Sequence, residues 1–255
     1  MKLTAFAFEN FPEVIPNSNL SDLIINVAID NEWAWCDGDI IVIAQKIISK
    51  SENQFVYLAD VQPGSQAEKY SQITGKDPRL IELILSESNK VLRTKKGLII
   101  VQHKLGFICA NAGIDHSNVL GASGKLEDWV LLLPKNPDKS ASSIREEVQG
   151  KTGKRIGVII IDSHGRPWRR GVVGLSIGSS GVPAVVDRRG TKDRYGYQLK
   201  ATEIGTLDEL AAAASILMGQ ADEGRPVVVI RGFPYSLQES NFSDILRNES
   251  DDLFR

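Results

Sequence analysis

The sequence of 255 residues is poor in the residue types and patterns that mark several common classes of protein. It has two cysteines and three histidines, and their spacing favours neither a zinc site nor a cysteine–histidine dyad. It lacks the phosphate-loop pattern G-x-x-x-x-G-K-S/T, and no G-x-G-x-x-G follows the first predicted strand. The sequence therefore argues against zinc enzymes, phosphate-loop nucleotidases and dinucleotide-binding folds.

No stretch of the chain approaches the roughly 18 apolar residues that a membrane helix needs, and the first 16 residues do not resemble a signal peptide. The formal net charge of −2 gives no broad reason to expect nucleic acid or an anionic membrane as partner. We therefore expect a cytoplasmic protein that binds neither nucleic acid nor membrane. Cys36 and Cys109 adjoin apolar or aromatic residues, so both are expected to be buried free thiols.

Apolar runs and helical periodicity are mixed along the chain. Strands are predicted over residues 2–8, 40–48, 97–113 (as two strands), 155–162 and 226–234. Helices are predicted over residues 21–33, 63–75, 77–93, 137–153 and 206–220. The glycine-rich residues 163–183 are expected to be irregular. This order predicts an α/β (mixed α+β) fold with at least one extensive sheet.

The sequence contains no repeat and no clear linker. We expect one domain over residues 1–236, with a candidate division near residue 120. A polar, acidic tail over residues 237–255 is expected either to form a terminal helix or to be loosely held.

Two aspartates follow predicted buried strands. Asp162 ends the apolar run at 155–162, and Asp115 follows the run that contains Cys109. Ligands of α/β proteins gather at such strand ends. One aspartate there could simply cap a loop by binding nearby backbone N–H groups. Two of them in glycine-containing turns favour a site for magnesium or manganese, which prefer carboxylate oxygens.

Basic residues occur in two further segments. Lys46 and Lys50 follow a predicted strand four residues apart, either as a phosphate clamp or as a solvated lysine face. Arg166, Arg169 and Arg170 stand in a loop with a proline and flanking glycines. Their guanidinium groups match carboxylates or phosphates, or they pair with acidic groups of the same protein. Local patterns alone assign residues 219–225 to a helix end and a connecting loop.

Eight segments together resemble one family, the coenzyme F420:L-glutamate ligases, also called F420-0:γ-glutamyl ligases. In chain order they are FPEVIP, DGDIIVIAQKIISKSE, GKDPRLIELILSES, GFICANAGIDHSN, LLPKNPDKSA, IIIDSHGRPWRRG, VDRRGTKDRYG and DELAAAASILMGQADEGRPVVVIRG. They span nearly all of residues 10–233, which makes the match far more specific than one short motif. The resemblance implies the free-standing form without the nitroreductase-like domain. It also implies an intertwined homodimer with sites near the interface.

The resemblance implies a reaction with GTP as co-substrate. GTP phosphorylates an acceptor carboxylate, the amine of L-glutamate displaces phosphate from the acyl phosphate, and an amide forms. The implied acceptor is coenzyme F420-0, and then F420-1. The implied ions are Mg²⁺ or Mn²⁺, with K⁺ as an additional candidate. The catalytic residues on this basis are Asp115, Asp162 and Lys50.

Site residues carried over from the family pattern form two sets. The metal set places one ion at Asp115 and Asp162 and a second near Ser163 and Gln220. The nucleotide set is Phe11, Pro12, Glu13, Val14, Gln45, Lys46, Lys50, Asn118, Met218, Gly219, Gln220, Ala221, Asp222, Glu223, Gly224 and Arg225. Charge alone, without the resemblance, suggests Arg166, Arg169 and Arg170 for the acidic acceptor or glutamate.

Three positions depart from the family pattern. Gln45-Lys46 stands where archaeal members often have Ser-Thr, and His164 stands where many have Phe. Two alternatives therefore remain open: the same chemistry on another acceptor such as a folate-like pterin, or a non-catalytic nucleotide- or F420-binding protein. The presence of Asp115, Asp162 and Lys50 favours catalysis, because a binding module would not need the metal pair.

Overall fold

A computed structural model describes residues 1–119 and 129–253. Within them the β-strands are β1 Thr4–Ala7, β2 Ile40–Ala44, β3 Phe55–Tyr57, β4 Ser88–Lys95, β5 Leu98–His103, β6 Ile108–Ala110, β7 Trp129–Leu131, β8 Gly157–Gly165, β9 Val172–Ser180, β10 Val186–Asp187, β11 Glu203–Ile204 and β12 Val227–Arg231. The α-helices are α1 Leu20–Asp30, α2 Gln45–Ser51, α3 Ser65–Thr74, α4 Pro78–Ser86, α5 Pro137–Thr152 and α6 Thr206–Met218. The predicted mixture of helices and strands is confirmed.

The largest sheet has five strands in the order β1-β12-β2-β8-β9. Only β2 and β8 run parallel, with Ile43 opposite Ile160, and the other neighbours are antiparallel. Three smaller sheets are formed by β4-β5-β6, β3-β7 and β10-β11. The parallel pair brings the ends of β2 and β8 to the same edge of the sheet, and this edge carries the site described below.

Helices cover both faces of the large sheet, which explains why its central strands are apolar throughout. Side chains of a strand alternate between faces. Ile41 and Ile160 belong to the core on the side of α1 and α5, whereas Ile40 and Ile159 belong to the core under α6. All four are fully buried, and full burial of such a side chain contributes roughly 1.5–3 kcal/mol.

The helix termini follow the sequence signals. Asp77 caps α4 by accepting a hydrogen bond from Arg79 N, and Pro78 occupies its first turn. Asn136 caps α5 in the same way, and Gly153 ends it with a left-handed φ of 68°. Both helices thus begin where the sequence predicted.

Two predicted elements are wrong in part. The helix predicted over residues 77–93 ends at Ser86, and β4 pairs with β5 through a tight turn at Gly97, whose φ is +82°. Pairing across this hairpin outweighs the helical spacing of Val91 and its neighbours. The strand predicted over residues 40–48 ends at Ala44, and α2 follows directly. A short apolar run does not distinguish a strand from a buried helix.

The glycine-rich segment 163–183 was expected to be irregular, and this expectation is wrong. It contains β9, a nine-residue strand antiparallel to β8. A Cβ at Gly174 would lie 2.7 Å from Ala211 O of α6, and one at Gly178 would lie 2.4 Å from Pro137 Cβ of α5. The glycines therefore permit close packing of helices on both faces of β9. Residues 174–178 match G-x-S-x-G, but Ser176 is buried within this strand and forms no nucleophile elbow.

The two cysteines differ in their exposure. Cys109 is buried as expected, but Cys36 is exposed beside a turn, so that part of the expectation is wrong. In the tail, Leu237 and Phe242 are buried, and Phe242 N donates to the Asp138 carboxylate.

The candidate division near residue 120 lies outside the described residues. Over the described ranges, none of the helices has the length and apolar character needed to cross a membrane.

Candidate functional site

A cavity of about 850 Å³ opens at the sheet edge where β2 and β8 end. Its lining comes from five segments of the chain, within residues 11–14, 44–50, 110–118, 161–165 and 215–226. All of the residues predicted above for the nucleotide and the metals line this one cavity. The fold thus brings together side chains that are more than 200 positions apart in sequence.

Asp115 is held at the cavity by backbone and side-chain bonds. Its N–H and C=O exchange hydrogen bonds with Leu131 at 3.0 and 2.9 Å. Gln45 Nε2 donates to its Oδ2 at 2.7 Å, and Lys46 Nζ lies 3.5 Å from the same oxygen. Burial raises the pKa of the Asp115 carboxyl, Lys46 opposes that shift, and the charge of Asp162 adds to it. The negative charges of Asp115 and Asp162 therefore repel each other at a partly buried site.

Asp162 and Ser163 lie near the end of β8. His164 Nε2 is 3.1 Å from Asp162 Oδ2, and Ser163 Oγ donates to Gln220 Oε1 at 2.8 Å. The second bond links β8 to the turn that follows α6. It joins the two residues that the family resemblance assigns to a second ion.

The donor set fits a hard divalent cation. It consists of two carboxylates, a hydroxyl and an amide carbonyl, all oxygen ligands. Among residues 1–119 and 129–253, no group of three or more His, Cys, Asp or Glu side chains is placed to hold a metal. The site predicted for one ion has two carboxylates, Asp115 and Asp162. This suits Mg²⁺, which usually keeps several waters and binds through one or two carboxylates together with substrate phosphates.

Lys46 and Lys50 supply positive charge on one turn of α2. Lys50 Nζ forms an ion pair with Glu13, and the Lys50 side chain is 9% exposed, whereas that of Glu13 is 73% exposed. Lys46 Nζ donates to Ser117 O at 3.0 Å. Both lysines line the cavity. Lys50 is buried and the Lys46 side chain is 24% exposed, so the two do not form a solvated lysine face. A phosphate group in the cavity would meet two ammonium groups.

The turn after α6 forms another wall of the cavity. Gly219 has a φ of 73° and a ψ of −171°, a conformation that is essentially restricted to glycine, and a Cβ there would lie 2.0 Å from the Glu223 carboxyl carbon. Glu223 accepts a hydrogen bond from Ala221 N at 2.8 Å, and Asn118 Nδ2 donates to Ala221 O at 3.1 Å. Local patterns assigned this turn only to a helix end, yet its backbone lies against the cavity.

The three arginines suggested for substrate do not line the cavity. Arg166, Arg169 and Arg170 lie in the turn between β8 and β9, just beyond Gly165, which does line it. Arg166 Nη1 donates to Gly171 O at 3.1 Å. The exposed Trp168 in this turn has a φ of 64°, which is unusual for an aromatic residue. The assignment of these arginines to an acidic substrate stays a prediction.

Ser117 and Asn111 are among the polar residues of the cavity that sequence patterns missed. Ser117 accepts hydrogen bonds from Lys46. Asn111 has a φ of 52°, and its buried Oδ1 has no hydrogen-bond partner within the described part of the chain. Asn111, Ala112 and Gly113 all have positive φ, and such local strain is typical of functional sites. In the sequence, only the Asn-Ala-Gly motif could have indicated this turn, since Asn and Gly tolerate positive φ.

The fold and the cavity define a mixed α/β protein whose site suits a phosphate-bearing ligand and a divalent cation. Residues 10–232 match the family model described as F420-0:Gamma-glutamyl ligase. The chain belongs to this family, and the resemblance stated from its sequence segments is confirmed.

Curated relatives cover nearly the whole chain. The coenzyme F420:L-glutamate ligase of Methanocaldococcus jannaschii is 45% identical over 237 residues, which are 93% of this chain and 90% of the relative. The protein of the same name from Methanothermobacter thermautotrophicus is 41% identical over 258 residues, covering all of both chains. That of Archaeoglobus fulgidus is 38% identical, with 100% of this chain and 97% of the relative covered.

Proposed function

We propose that this protein is a GTP- and divalent-metal-dependent ligase that joins L-glutamate by an amide bond to coenzyme F420-0, and then to F420-1. The family and the names of the relatives support glutamate ligation to F420. The single observation that carries the mechanistic part is the convergence of the predicted nucleotide and metal residues on one cavity. GTP as the nucleotide follows from the resemblance.

The reaction needs activation because a carboxylate is a poor electrophile. A carboxylate oxygen of the acceptor attacks the γ-phosphorus of GTP, the bond to the bridging oxygen breaks, and GDP leaves. The amine of L-glutamate then attacks the acyl carbon, loses a proton and displaces inorganic phosphate, which carries away one oxygen of the original carboxylate. No covalent bond to the protein is required, so positioning and electrostatics supply the catalysis.

The residues of the cavity have distinct roles in this proposal. Asp115 and Asp162 hold one cation, and Ser163 with Gln220 lies at a second. When bound, such cations neutralise charge on the transferred phosphoryl group. Lys50, kept in place by Glu13, binds phosphate oxygens. Lys46 does the same beside Ser117.

The remaining nucleotide contacts come from two walls of the cavity. Residues 11–14 form one wall and the turn 218–225 forms the other. The bond from Asn118 to Ala221 O keeps this turn against the segment that carries Asp115. The backbone N–H groups of a turn with positive φ are well suited to phosphate oxygens.

A product assay tests the function and its alternatives. The protein is incubated with GTP, Mn²⁺ or Mg²⁺, L-glutamate and either F420-0 or a reduced folate, and the products are analysed by mass spectrometry. We expect glutamyl-F420 with matching GDP, and no glutamyl folate. A glutamyl folate would assign the pterin alternative instead. GTP binding without any amide product would overturn the ligase proposal in favour of a binding protein.

Substitutions make the same assay specific for the cavity. Asp162→Asn is expected to abolish product at ordinary metal concentrations. The matched control is Asp187→Asn, which alters an exposed aspartate paired with Arg189 away from the cavity. Equal activity in the Asp162 variant and the control would contradict the metal assignment.

The proposal also includes an assembly, a location and a further ion. A homodimer is expected from the resemblance, and exposed aromatic residues in two turns, Trp168, Tyr195 and Tyr197, are consistent with a contact surface. Light scattering of the purified protein at several concentrations tests this state, and a monomer throughout would contradict it.

We retain the cytoplasmic location and K⁺ as an additional ion within the proposal. A dependence of the amide yield on K⁺ against Na⁺ tests the latter.

A further inference from the structure

His164 contacts Asp162, the aspartate assigned to the cation, from the same face of β8. The two residues are two positions apart in a strand, so their side chains point the same way. His164 Nε2 lies 3.1 Å from Asp162 Oδ2, within hydrogen-bond distance. The His164 side chain is only 7% exposed, and that of Asp162 is 15% exposed. The contact is therefore largely shielded from solvent.

The ring of His164 is fixed by aromatic packing. Phe107 lies 5.1 Å from it, centroid to centroid, at an interplanar angle of 38°. Phe107 also contacts His103, stacked at 5.1 Å and 7°, and Phe242, edge-on at 5.8 Å. A ring held on one side by such a cluster cannot turn freely, so the orientation of its nitrogen is preset.

We propose that His164 is a positioning residue for the cation site: its Nε2–H donates to Asp162 Oδ2 and fixes the carboxylate in the orientation that binds the ion. The proposal rests on the metal assignment of the proposed function. Carboxylates that bind metals are commonly held by a second hydrogen bond, and its loss typically weakens metal affinity roughly 10–100-fold. The bond to Oδ2 leaves Oδ1 free of this interaction.

Simple packing does not account for the arrangement. A buried aromatic side chain of similar shape would fill the space beside Phe107 without placing a nitrogen 3.1 Å from a carboxylate. His103 provides the comparison within the same chain. The rings of His103 and His164 both lie 5.1 Å from the ring of Phe107. His103, however, accepts a hydrogen bond at Nδ1 from Leu105 N, and it does not line the cavity.

The test is a titration of the full-length protein with Mn²⁺ in the presence of GTP and without acceptor, in which electron paramagnetic resonance measures free Mn²⁺. The variants are His164→Phe, which keeps a ring and removes the donor, and His164→Gln, which keeps an N–H donor. His103→Phe is the matched control, and thermal melting of each metal-free variant shows that it is folded. We expect His164→Phe to weaken Mn²⁺ binding roughly 10–100-fold. His164→Gln should recover part of the affinity, and His103→Phe should match the parent.

The outcomes separate this inference from the function on which it rests. Parental affinity in His164→Phe, or equal losses in His164→Phe and His103→Phe, would overturn the positioning role. Asp162→Asn is titrated alongside. If it abolishes binding while His164→Phe does not, only the present inference fails. If the parent binds no Mn²⁺, or Asp162→Asn binds as the parent does, the metal assignment and this inference fail together. If His164→Phe does not fold, His164→Gln is compared with His164→Ala instead. The positioning role then requires that His164→Gln binds Mn²⁺ more tightly than His164→Ala.

Discussion

Gln45 donates a hydrogen bond of 2.7 Å from Nε2 to Asp115 Oδ2, across 70 positions of sequence. Its own Oε1 accepts a hydrogen bond of 2.9 Å from Ser49 Oγ, one turn further along α2. The donor and the acceptor of the buried Gln45 amide are thus both hydrogen-bonded. The arrangement orients Asp115 and connects it to the helix that also carries Lys46 and Lys50.

Gln45→Ala should therefore weaken metal-dependent activity without unfolding the protein. Removal of the amide leaves Asp115 without its shortest side-chain bond, and a loss of roughly 10–100-fold in Mn²⁺ affinity is expected. The measurement is the Mn²⁺ dependence of the initial rate of amide formation. Gln54→Ala is the control, since Gln54 donates to Glu52 O outside the cavity. An unchanged Mn²⁺ dependence in Gln45→Ala would contradict the orienting role.

Gly219→Ala should impair nucleotide binding. The backbone there has φ 73° and ψ −171°, and the new methyl group would meet the Glu223 carboxyl group. The strain is expected to cost roughly 1–3 kcal/mol and to rearrange the turn 219–225. Calorimetric titration with GTP should show weaker binding. Gly196→Ala has a comparable left-handed φ of 90°, with no atom within 4 Å and outside the cavity, and should bind GTP normally.

His103 should make the protein less stable in acid. Burial lowers the pKa of His103 to about 4, with smaller contributions from Lys104 and His164. The unfolded chain has a histidine pKa of about 6.5. Between these values the unfolded chain binds a proton that the folded protein does not, so stability falls as the pH falls, by at most about 1.4 kcal/mol per pH unit.

Urea denaturation at pH 7 and pH 5 tests this linkage. The parent protein should lose more stability across the interval than His103→Gln, because only the parent carries the suppressed histidine. His116→Gln serves as a comparison, since His116 is exposed and partial desolvation lowers its pKa as well. Equal losses in the parent and His103→Gln would show that His103 is not held neutral.

The buried Asp39 should make Arg231 important for stability. Arg231 Nε and Nη2 each donate to the Asp39 carboxylate at 2.7 Å, and Asp39 is fully buried. The guanidinium group also lies 4.3 Å from the centre of the Trp33 ring. Arg231→Ala leaves a buried charge without its partner and should cost about 3 kcal/mol of unfolding free energy.

Denaturation with urea measures that cost, and the chain offers a matched ion pair. Arg189 makes the same kind of contact with Asp187, but both side chains are about half exposed. Arg189→Ala should leave the unfolding free energy nearly unchanged, because exposed pairs contribute little. Similar effects of the two substitutions would contradict the importance of the buried pair.

The residues predicted for the nucleotide and the metals line one cavity, whereas several predicted elements differ from the structure. Asp115 and Asp162 were singled out because each follows or ends an apolar run of the sequence. The contact of His164 with Asp162 follows from the two-residue period of a strand, although it was not predicted. The bond from Gln45 to Asp115 depends on how α2 packs against a distant segment, and no local pattern encodes it. β9 was missed because its glycines indicate loops locally, whereas they serve close helix packing.

The most direct test of the central claim follows an oxygen atom. The protein is given GTP, L-glutamate, Mn²⁺ and F420-0 whose acceptor carboxylate carries ¹⁸O, and the phosphate released with the amide product is analysed by mass spectrometry. With both oxygens of that carboxylate labelled, activation as an acyl phosphate predicts one ¹⁸O atom in the inorganic phosphate released by the first ligation, with GDP unlabelled. A second ligation releases unlabelled phosphate, because its acceptor carboxylate comes from the added glutamate. Formation of F420-1 with only unlabelled phosphate, or with ¹⁸O in GMP, would contradict the mechanism proposed for this cavity.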